Sequence, residues 1–290
     1  MSYKASPASR LRKDIGAAST FLFVPADRPE RFAKAIASGA GIVVLDLEDA
    51  VAEANKDAAR AHAASWARDH ACLIRINAVD SAWHEDDLRQ LAGLRCGIML
   101  PKAERVQEIS RVAHAMGGTG VVALIETARG ILDALSIAEL NGVDRLAFGS
   151  FDLATELGVD PTDREALLAS RSALVLASAR AGLPGPVDGV TGGIDDASGI
   201  ADDTDHGRRL GFTAKLCIHP RQVAIVEDAL RPTEAQREWA AGILDAQDVG
   251  VRVVNGAMVD RPVMERAEQI LRRFGALHNR IKDDLGAQST

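Results

Sequence analysis

Val121-Val-Ala-Leu-Ile125 is an unbroken apolar run that ends on a carboxylate, Glu126, and gives way within a few residues to a helical pattern from Gly130 to Leu140. A short apolar run followed by a longer helical stretch is the sequence form of a βα unit in a parallel sheet. The same form recurs on both sides. Apolar runs stand at Phe21-Leu-Phe-Val24, Gly41-Ile-Val-Val-Leu45, Cys72-Leu-Ile-Arg-Ile76, Cys96-Gly-Ile-Met-Leu100, Arg145-Leu-Ala-Phe148, a weaker Pro186-Val-Asp-Gly-Val190, and Ala214-Lys-Leu-Cys-Ile218. Helical patterns fall between them at Pro29–Ser38, Asn55–Asp69, Arg105–Met116 and Asp163–Ala181. Eight units predict an α/β fold of the (β/α)8 TIM-barrel type ahead of a doubly wound open sheet. The 290 residues suit it, since such a barrel typically takes about 250.

Beyond the eighth run, Val251-Arg-Val-Val254, Asn255-Gly256 and Ala257-Met-Val259 read as a hairpin, because Asn-Gly accepts the positive φ that both central positions of a two-residue turn require. Helices are expected over Thr233–Gln247 and Pro262–Lys282, with Pro262 well placed near a helix start. The expected organisation is a polar N-terminal arm over 1–18, a catalytic barrel over 19–232, and a C-terminal hairpin–helix extension over 233–290 that serves oligomerisation or acts as a lid.

Composition narrows the function classes. Hydrophobic residues make up 47% and charged residues 26%, enough apolar material for a large core, which excludes disorder as the main state. Aromatics are 4% and the formal charge is −7, a poor basis for stacking on bases or neutralising phosphates, so nucleic acid is not an expected partner. There is no apolar run of membrane-spanning length and the N-terminus lacks a signal-peptide core, so a soluble cytoplasmic protein without a membrane partner is expected. Cys72, Cys96 and Cys217 are far apart and each lies in an apolar run. They read as buried small hydrophobes.

Barrel enzymes carry their chemistry at the C-terminal ends of the strands. There the sequence places Asp46, Glu48 and Asp49 after the second run, Arg75 and Asn77 in and after the third, Lys102 after the fourth, Glu126 after the fifth, and Gly149 and Asp152 after the sixth. Asp188 lies in the seventh run, and Lys215 and His219 in and after the eighth. Acids outnumber cations, a balance that a divalent metal would correct. Glu126 and Asp152 are the best ligand pair, and two carboxylates with oxygen ligands suit magnesium better than zinc. A single strand-end acid could equally cap a helix or pair with an arginine. Arg75 inside Leu73-Ile-Arg-Ile76 needs a carboxylate or an anionic ligand, since a lone guanidinium in an apolar strand is costly. Lys102 or Lys215 could form a Schiff base with a keto substrate. A complete P-loop, a strand-linked G-x-G-x-x-G, H-E-x-x-H and G-x-S-x-G are all missing, which disfavours hydride transfer and serine hydrolysis.

In chain order, Leu22-Phe-Val-Pro25, Pro29-Glu-Arg-Phe-Ala-Lys-Ala35, Leu45-Asp-Leu-Glu-Asp-Ala-Val51, Arg75-Ile-Asn77, Leu100-Pro-Lys-Ala103, Ile125-Glu-Thr127, Phe148-Gly-Ser-Phe-Asp-Leu153 and Ile218-His-Pro-Arg-Gln-Val223 resemble the citrate lyase beta subunit-like proteins of the HpcH/HpaI aldolase/citrate lyase family. The resemblance spans roughly residues 19 to 282. It implies a Mg2+-dependent carbon–carbon lyase acting on a malyl-, citramalyl- or citryl-CoA thioester to give acetyl-CoA and a 2-oxo acid, in a homotrimer or hexamer. It also implies that Glu126 and Asp152 bind Mg2+, that Arg75 faces the thioester oxygen, and that Asp46, Glu48 and Gly149 line the substrate. Arg28 and Lys34 would lie near the CoA phosphates. Asp260, after the hairpin, would reach a neighbouring subunit's site as the proton-transfer group, with Glu48 as second choice. The chain departs from the family pattern at Ser19-Thr20, where an arginine commonly precedes the first strand, at Ala26 and Ala214, where glycines are common, and at Phe151 beside the expected metal. Two alternatives therefore stand beside the lyase: a CoA-independent aldolase on free 2-oxo acids, and a non-catalytic regulatory barrel that binds CoA esters.

Overall fold

The computed structural model describes residues 7–118, 120–245, 252–254 and 257–272. Eight parallel strands, β1 (Thr20–Pro25), β2 (Ile42–Asp46), β3 (Cys72–Arg75), β4 (Cys96–Leu100), β5 (Val121–Ile125), β6 (Val143–Phe148), β7 (Val187–Asp188) and β8 (Ala214–Cys217), follow one another around a closed barrel. Closure is made by β8 pairing with β1, from Thr20↔Lys215 to Leu22↔Cys217. Each apolar run of the sequence yields one strand. The weakest run yields the shortest, the two-residue β7, which meets β6 through Ala147↔Val187 alone.

Phe21, Ile42, Val44, Leu73, Met99, Val122, Leu124, Ala147, Val187, Ala214 and Leu216 form one buried cluster inside the ring. Successive strand residues face opposite sides, so counting forward by two from these positions carries Phe23, Asp46, Arg75 and Glu126 inward at the C-terminal mouth. The other end is sealed by the helix Pro7–Ala17, whose Leu11 and Ile15, with Ala18, join the same cluster. This differs from the polar arm expected over 1–18: three spaced apolar residues among charged ones are enough for one buried stripe. The last carbonyls of a helix lack intrahelical partners, and here the fully buried Arg145 supplies them, donating to Ile15 O at 2.8 Å and Ala18 O at 2.7 Å.

The helical shell departs from the sequence pattern in places. The stretch Gly130–Leu140 forms two short helices, Ala128–Leu132 and Ala134–Ala138, and Asp163–Ala181 is helical over Leu168–Arg180. Four further helices, His84–Leu91, Ser150–Leu157, Ala197–Leu210 and Pro220–Leu230, are not anticipated. Ala197–Leu210 is rich in Asp and Gly, poor helix formers. It is capped by the Asp196 carboxylate, which accepts from Gly199 N at 2.9 Å, and Gly207 lets it approach β7, because a Cβ there would lie 2.6 Å from Asp188 Oδ2.

Met1–Ala229 and Leu230–Thr290 are separate compact units. In the second, a helix Glu234–Asp245, an antiparallel pair β9 (Arg252–Val254) and β10 (Ala257–Val259), and helical residues 261–272 are built around buried Ala240, Ile243, Val259 and Ala267. The register Ala257↔Val254 agrees with a two-residue connection. Asn255, Gly256, Gln247 and the expected helix beyond residue 272 lie outside the described residues. Among the described residues no helix is long and apolar enough to cross a membrane, and Cys72, Cys96 and Cys217 are free and buried.

Candidate active site

The inward residues at the mouth come from consecutive strands. Asp46 and Arg75 are register partners on β2 and β3, so their side chains leave the ring at the same height and on the same side. The pair is bidentate: Arg75 Nε donates to Asp46 Oδ1 at 2.7 Å and Nη2 to Oδ2 at 2.6 Å. The remaining nitrogen, Nη1, lies 2.9 Å from Glu48 Oε2 and donates to Asp49 Oδ2 at 3.2 Å, while the guanidinium sits 4.8 Å above the Phe23 ring. Burial works against its charge, yet these three carboxylates hold its pKa above the ordinary arginine value. Asp46 also accepts from Glu48 N at 2.9 Å and Ala50 N at 3.3 Å, which ties the acidic loop to the strand end.

That loop is held from behind by Lys56, at the start of the helix Lys56–Asp69. Its buried ammonium donates to Leu47 O (2.7 Å), Glu48 O (2.8 Å) and Asn77 Oδ1 (2.7 Å), spending all three donors. Asn77 in turn donates from Nδ2 to Asp87 at 2.7 Å, and Asp87 pairs with Arg60 at 2.6 Å. This support is missing from the sequence reading, although a signal exists. A lysine in the first turn of a helix opposes the helix dipole, so it needs another reason to be there.

Two carboxyls of the mouth are held against their ionisation. Glu48 is pushed up to about 7, chiefly by burial, with Arg75 and Lys102 opposing and Asp49 and Asp46 adding. Glu126 is pushed up to about 8, again chiefly by burial, and then by the charges of Glu48 and Asp152. Glu126 Oε1 accepts from the Lys102 backbone N at 2.8 Å, and its other side packs on Gly149, where a Cβ would come within 2.4 Å of Oε2. Gly149 is thus required by crowding, not by backbone conformation. Asp152 lies in the first turn of the helix Ser150–Leu157 and is exposed, close enough to act electrostatically on both Glu126 and Lys102. Among the described residues no group of three or more His, Cys, Asp or Glu side chains is arranged to hold a metal alone. Glu126 and Asp152 would offer two carboxylates, and a set of that kind, completed by water and substrate oxygens, suits magnesium.

Other expected residues lie elsewhere. Arg28 follows β1, largely exposed, 3.9 Å from Asp27, and Lys34 is exposed on the short helix Phe32–Ile36. Asp188 is not at the mouth. It points outward from β7 into the helical layer, where Arg171 Nε donates to it at 3.0 Å. Lys215 also points outward, fully buried, donating to Asp203 Oδ2 and Gly189 O at 2.8 Å each. A charged, doubly engaged ammonium behind the barrel wall has no access to a keto substrate, so Lys215 is removed as a Schiff-base candidate. His219 accepts from Arg221 N at 3.2 Å in a turn. Asp260 belongs to the second unit, where Oδ1 accepts from Val263 N at 3.3 Å at the start of helical residues 261–272.

Comparison with known proteins bears on the family and the fold. The family model described as HpcH/HpaI aldolase/citrate lyase matches residues 19–220. A citrate lyase subunit beta-like protein of Mycobacterium tuberculosis is 39% identical over 265 residues, covering 88% of this chain and 95% of its own. A (3S)-malyl-CoA thioesterase of Cereibacter sphaeroides is 31% identical over 269 residues, covering 88% and 94%. The crystal structure of CitE from Mycobacterium tuberculosis in complex with magnesium, acetoacetate and coenzyme A superposes with a TM-score of 0.80 at 37% identity, covering 89% of this chain and 98% of that one.

Proposed function

This chain belongs to the HpcH/HpaI aldolase/citrate lyase family, and from that premise we propose that it is a Mg2+-dependent carbon–carbon lyase acting on a 3-hydroxyacyl-CoA thioester such as malyl-, citramalyl- or citryl-CoA, with acetyl-CoA and a 2-oxo acid as the other side of the reaction. The observation that carries this reading is Glu126, a buried carboxyl at the barrel mouth whose ionisation is opposed by burial and by the charges of Glu48 and Asp152, an imbalance that a cation would relieve. Glu126 and Asp152 would hold Mg2+, which would supply Lewis acidity toward the oxygens of the oxo-acid half.

The chain's own groups divide the remaining work. Cleavage requires the hydroxyl proton to leave and the departing carbon to be protonated, while negative charge gathers on the thioester oxygen. Arg75, fixed in orientation by Asp46, is the group that offsets that charge without having to reorganise. Asp260 of a neighbouring copy is the proton-transfer group in this reading, which makes the enzyme a homo-oligomer, a trimer or hexamer. Glu48, held at about 7, is the second choice, since a carboxyl near neutrality can both take and return a proton. Gly149 lets the Glu126 carboxyl take its place in the substrate-lining wall, and Arg28 and Lys34 are exposed cations for the CoA phosphates.

The test is a panel of hydroxyacyl-CoA thioesters and their free acids with Mg2+, following acetyl-CoA and 2-oxo acid. Cleavage of a thioester that EDTA abolishes and Mg2+ restores is expected. Turnover that survives EDTA overturns the assignment. A second reading, the CoA-independent aldolase, draws on one observation. Ser19 and Thr20 are buried and both donate to Glu227 Oε1, at 2.5 and 2.9 Å, so neither position offers a cation to a phosphate. Free acids cleaved as fast as their thioesters would favour it.

A further inference from the structure

Lys102 is the only residue other than glycine among those described whose backbone has a positive φ, +47°. In that region a Cβ crowds its own backbone and glycine alone is at ease. The turn has a clear use, since it aims the Lys102 amide at Glu126 Oε1, 2.8 Å away. A glycine would deliver the same amide without strain. The conformation is therefore explained by the backbone and the lysine side chain is not.

Nothing structural explains that side chain either. It is 48% exposed, its ammonium makes no hydrogen bond, and its nearest ionic partner, Glu48 Oε1, is 3.6 Å away. The other cations around the mouth are committed elsewhere: every nitrogen of Arg75 faces a carboxylate, its remaining donor capacity being assigned above to the thioester oxygen, and Lys56 has spent its three donors on the loop behind. Lys102 also feels the charges of Glu48, Glu126, Asp49 and Asp152, so its ammonium stands among the acids of the mouth. Strain retained at a site, with a charged group left available, points to a ligand.

We propose that Lys102 is a substrate-binding, specificity-determining residue whose ammonium takes a carboxylate oxygen of the 2-oxo acid half of the substrate. This rests on the lyase reading above. The experiment compares Lys102→Gly, Lys102→Met and Lys102→Arg with wild type by calorimetric binding of oxaloacetate in the presence of Mg2+, by the KM for acetyl-CoA in the condensation direction, and by thermal melting. Lys102→Gly keeps the amide on Glu126 and relaxes the turn, so its melting temperature should be no lower than wild type. Loss of a charge-assisted contact should weaken oxaloacetate binding roughly tenfold to hundredfold in Lys102→Gly and Lys102→Met. Lys102→Arg should recover most of it, and the KM for acetyl-CoA should stay within about twofold. Unchanged oxaloacetate binding in Lys102→Gly, or a loss that falls on acetyl-CoA instead, overturns the inference and leaves the lyase reading standing. A wild-type chain that binds no oxo acid and turns over no thioester overturns both.

Discussion

Replacing Glu126 by Gln should make the metal-free protein more stable at alkaline pH while removing its activity. Glutamine keeps an oxygen in place to accept from the Lys102 amide, 2.8 Å from Oε1, but cannot ionise. In the unfolded chain a glutamate titrates near 4.5, whereas in the folded chain Glu126 holds its proton to about 8. Between those values the folded state binds more protons than the unfolded one, so stability falls as pH rises through that window. At about 1.4 kcal/mol per pH unit the full shift sets a ceiling of about 4 to 5 kcal/mol. Glu48, whose charge acts on Glu126, shares part of that penalty, so about 2–4 kcal/mol should be recovered, or roughly 4–15 °C in melting temperature for a unit of this size. Urea and thermal denaturation in EDTA at pH 5 and pH 8 measure the difference, with the two proteins alike at pH 5 and apart at pH 8. Mg2+ should close the gap by stabilising the wild type and leave Glu126→Gln unmoved. A variant that in EDTA is no more stable than wild type at pH 8 would refute the claim that this carboxylate is buried short of a cation.

Arg75→Met strips the partner from Asp46, which is 1% exposed, and should lower stability by about 3–5 kcal/mol in urea denaturation, as expected for a broken buried ion pair; an unchanged midpoint would contradict the bidentate pairing. In Gly149→Ala the new Cβ would stand 2.3 Å from Glu126 Cβ, so a loss of about 1–3 kcal/mol from overpacking is expected, together with weaker Mg2+ binding by calorimetry. Borohydride added with pyruvate should leave no adduct on Lys215, whose ammonium is buried against Asp203 and Gly189 O. Mass-spectrometric detection of that adduct would show that the strand reaches the mouth after all.

Strand periodicity made much of the site legible in advance. Val122 and Leu124 face the ring interior, and Glu126 continues that side by alternation alone; Ile42, Val44 and Asp46 do the same on β2, and Leu73 and Arg75 on β3. Alternation is a local property of an extended backbone, so each of the three follows its own strand's inward residues once the closed ring shows which side is the interior. It was silent where strands are short. The two residues of β7 carry no period, so Asp188 could not be assigned to a side; Lys215 lies between the inward Ala214 and Leu216 and so turns outward, where a helix unanticipated from its Asp- and Gly-rich sequence brings Asp203 against it. The helix Pro7–Ala17 was misread as an arm for a related reason: its few apolar residues acquire meaning only against the open lower end of a barrel.

By itself the sequence determined the eight-unit barrel and the acidic strand ends that carry Asp46, Arg75 and Glu126, because apolar runs and residue type act within a few residues of chain. The tertiary structure alone decided which charges meet. It locked Arg75 onto Asp46 across neighbouring strands, spent Lys56 on the back of the acidic loop, and turned Lys102 into a strained position with its ammonium unbonded. Those outcomes depend on ring closure and helix docking, which bring together groups from distant parts of the chain, and on burial, which sets the cost of each charge left without a partner.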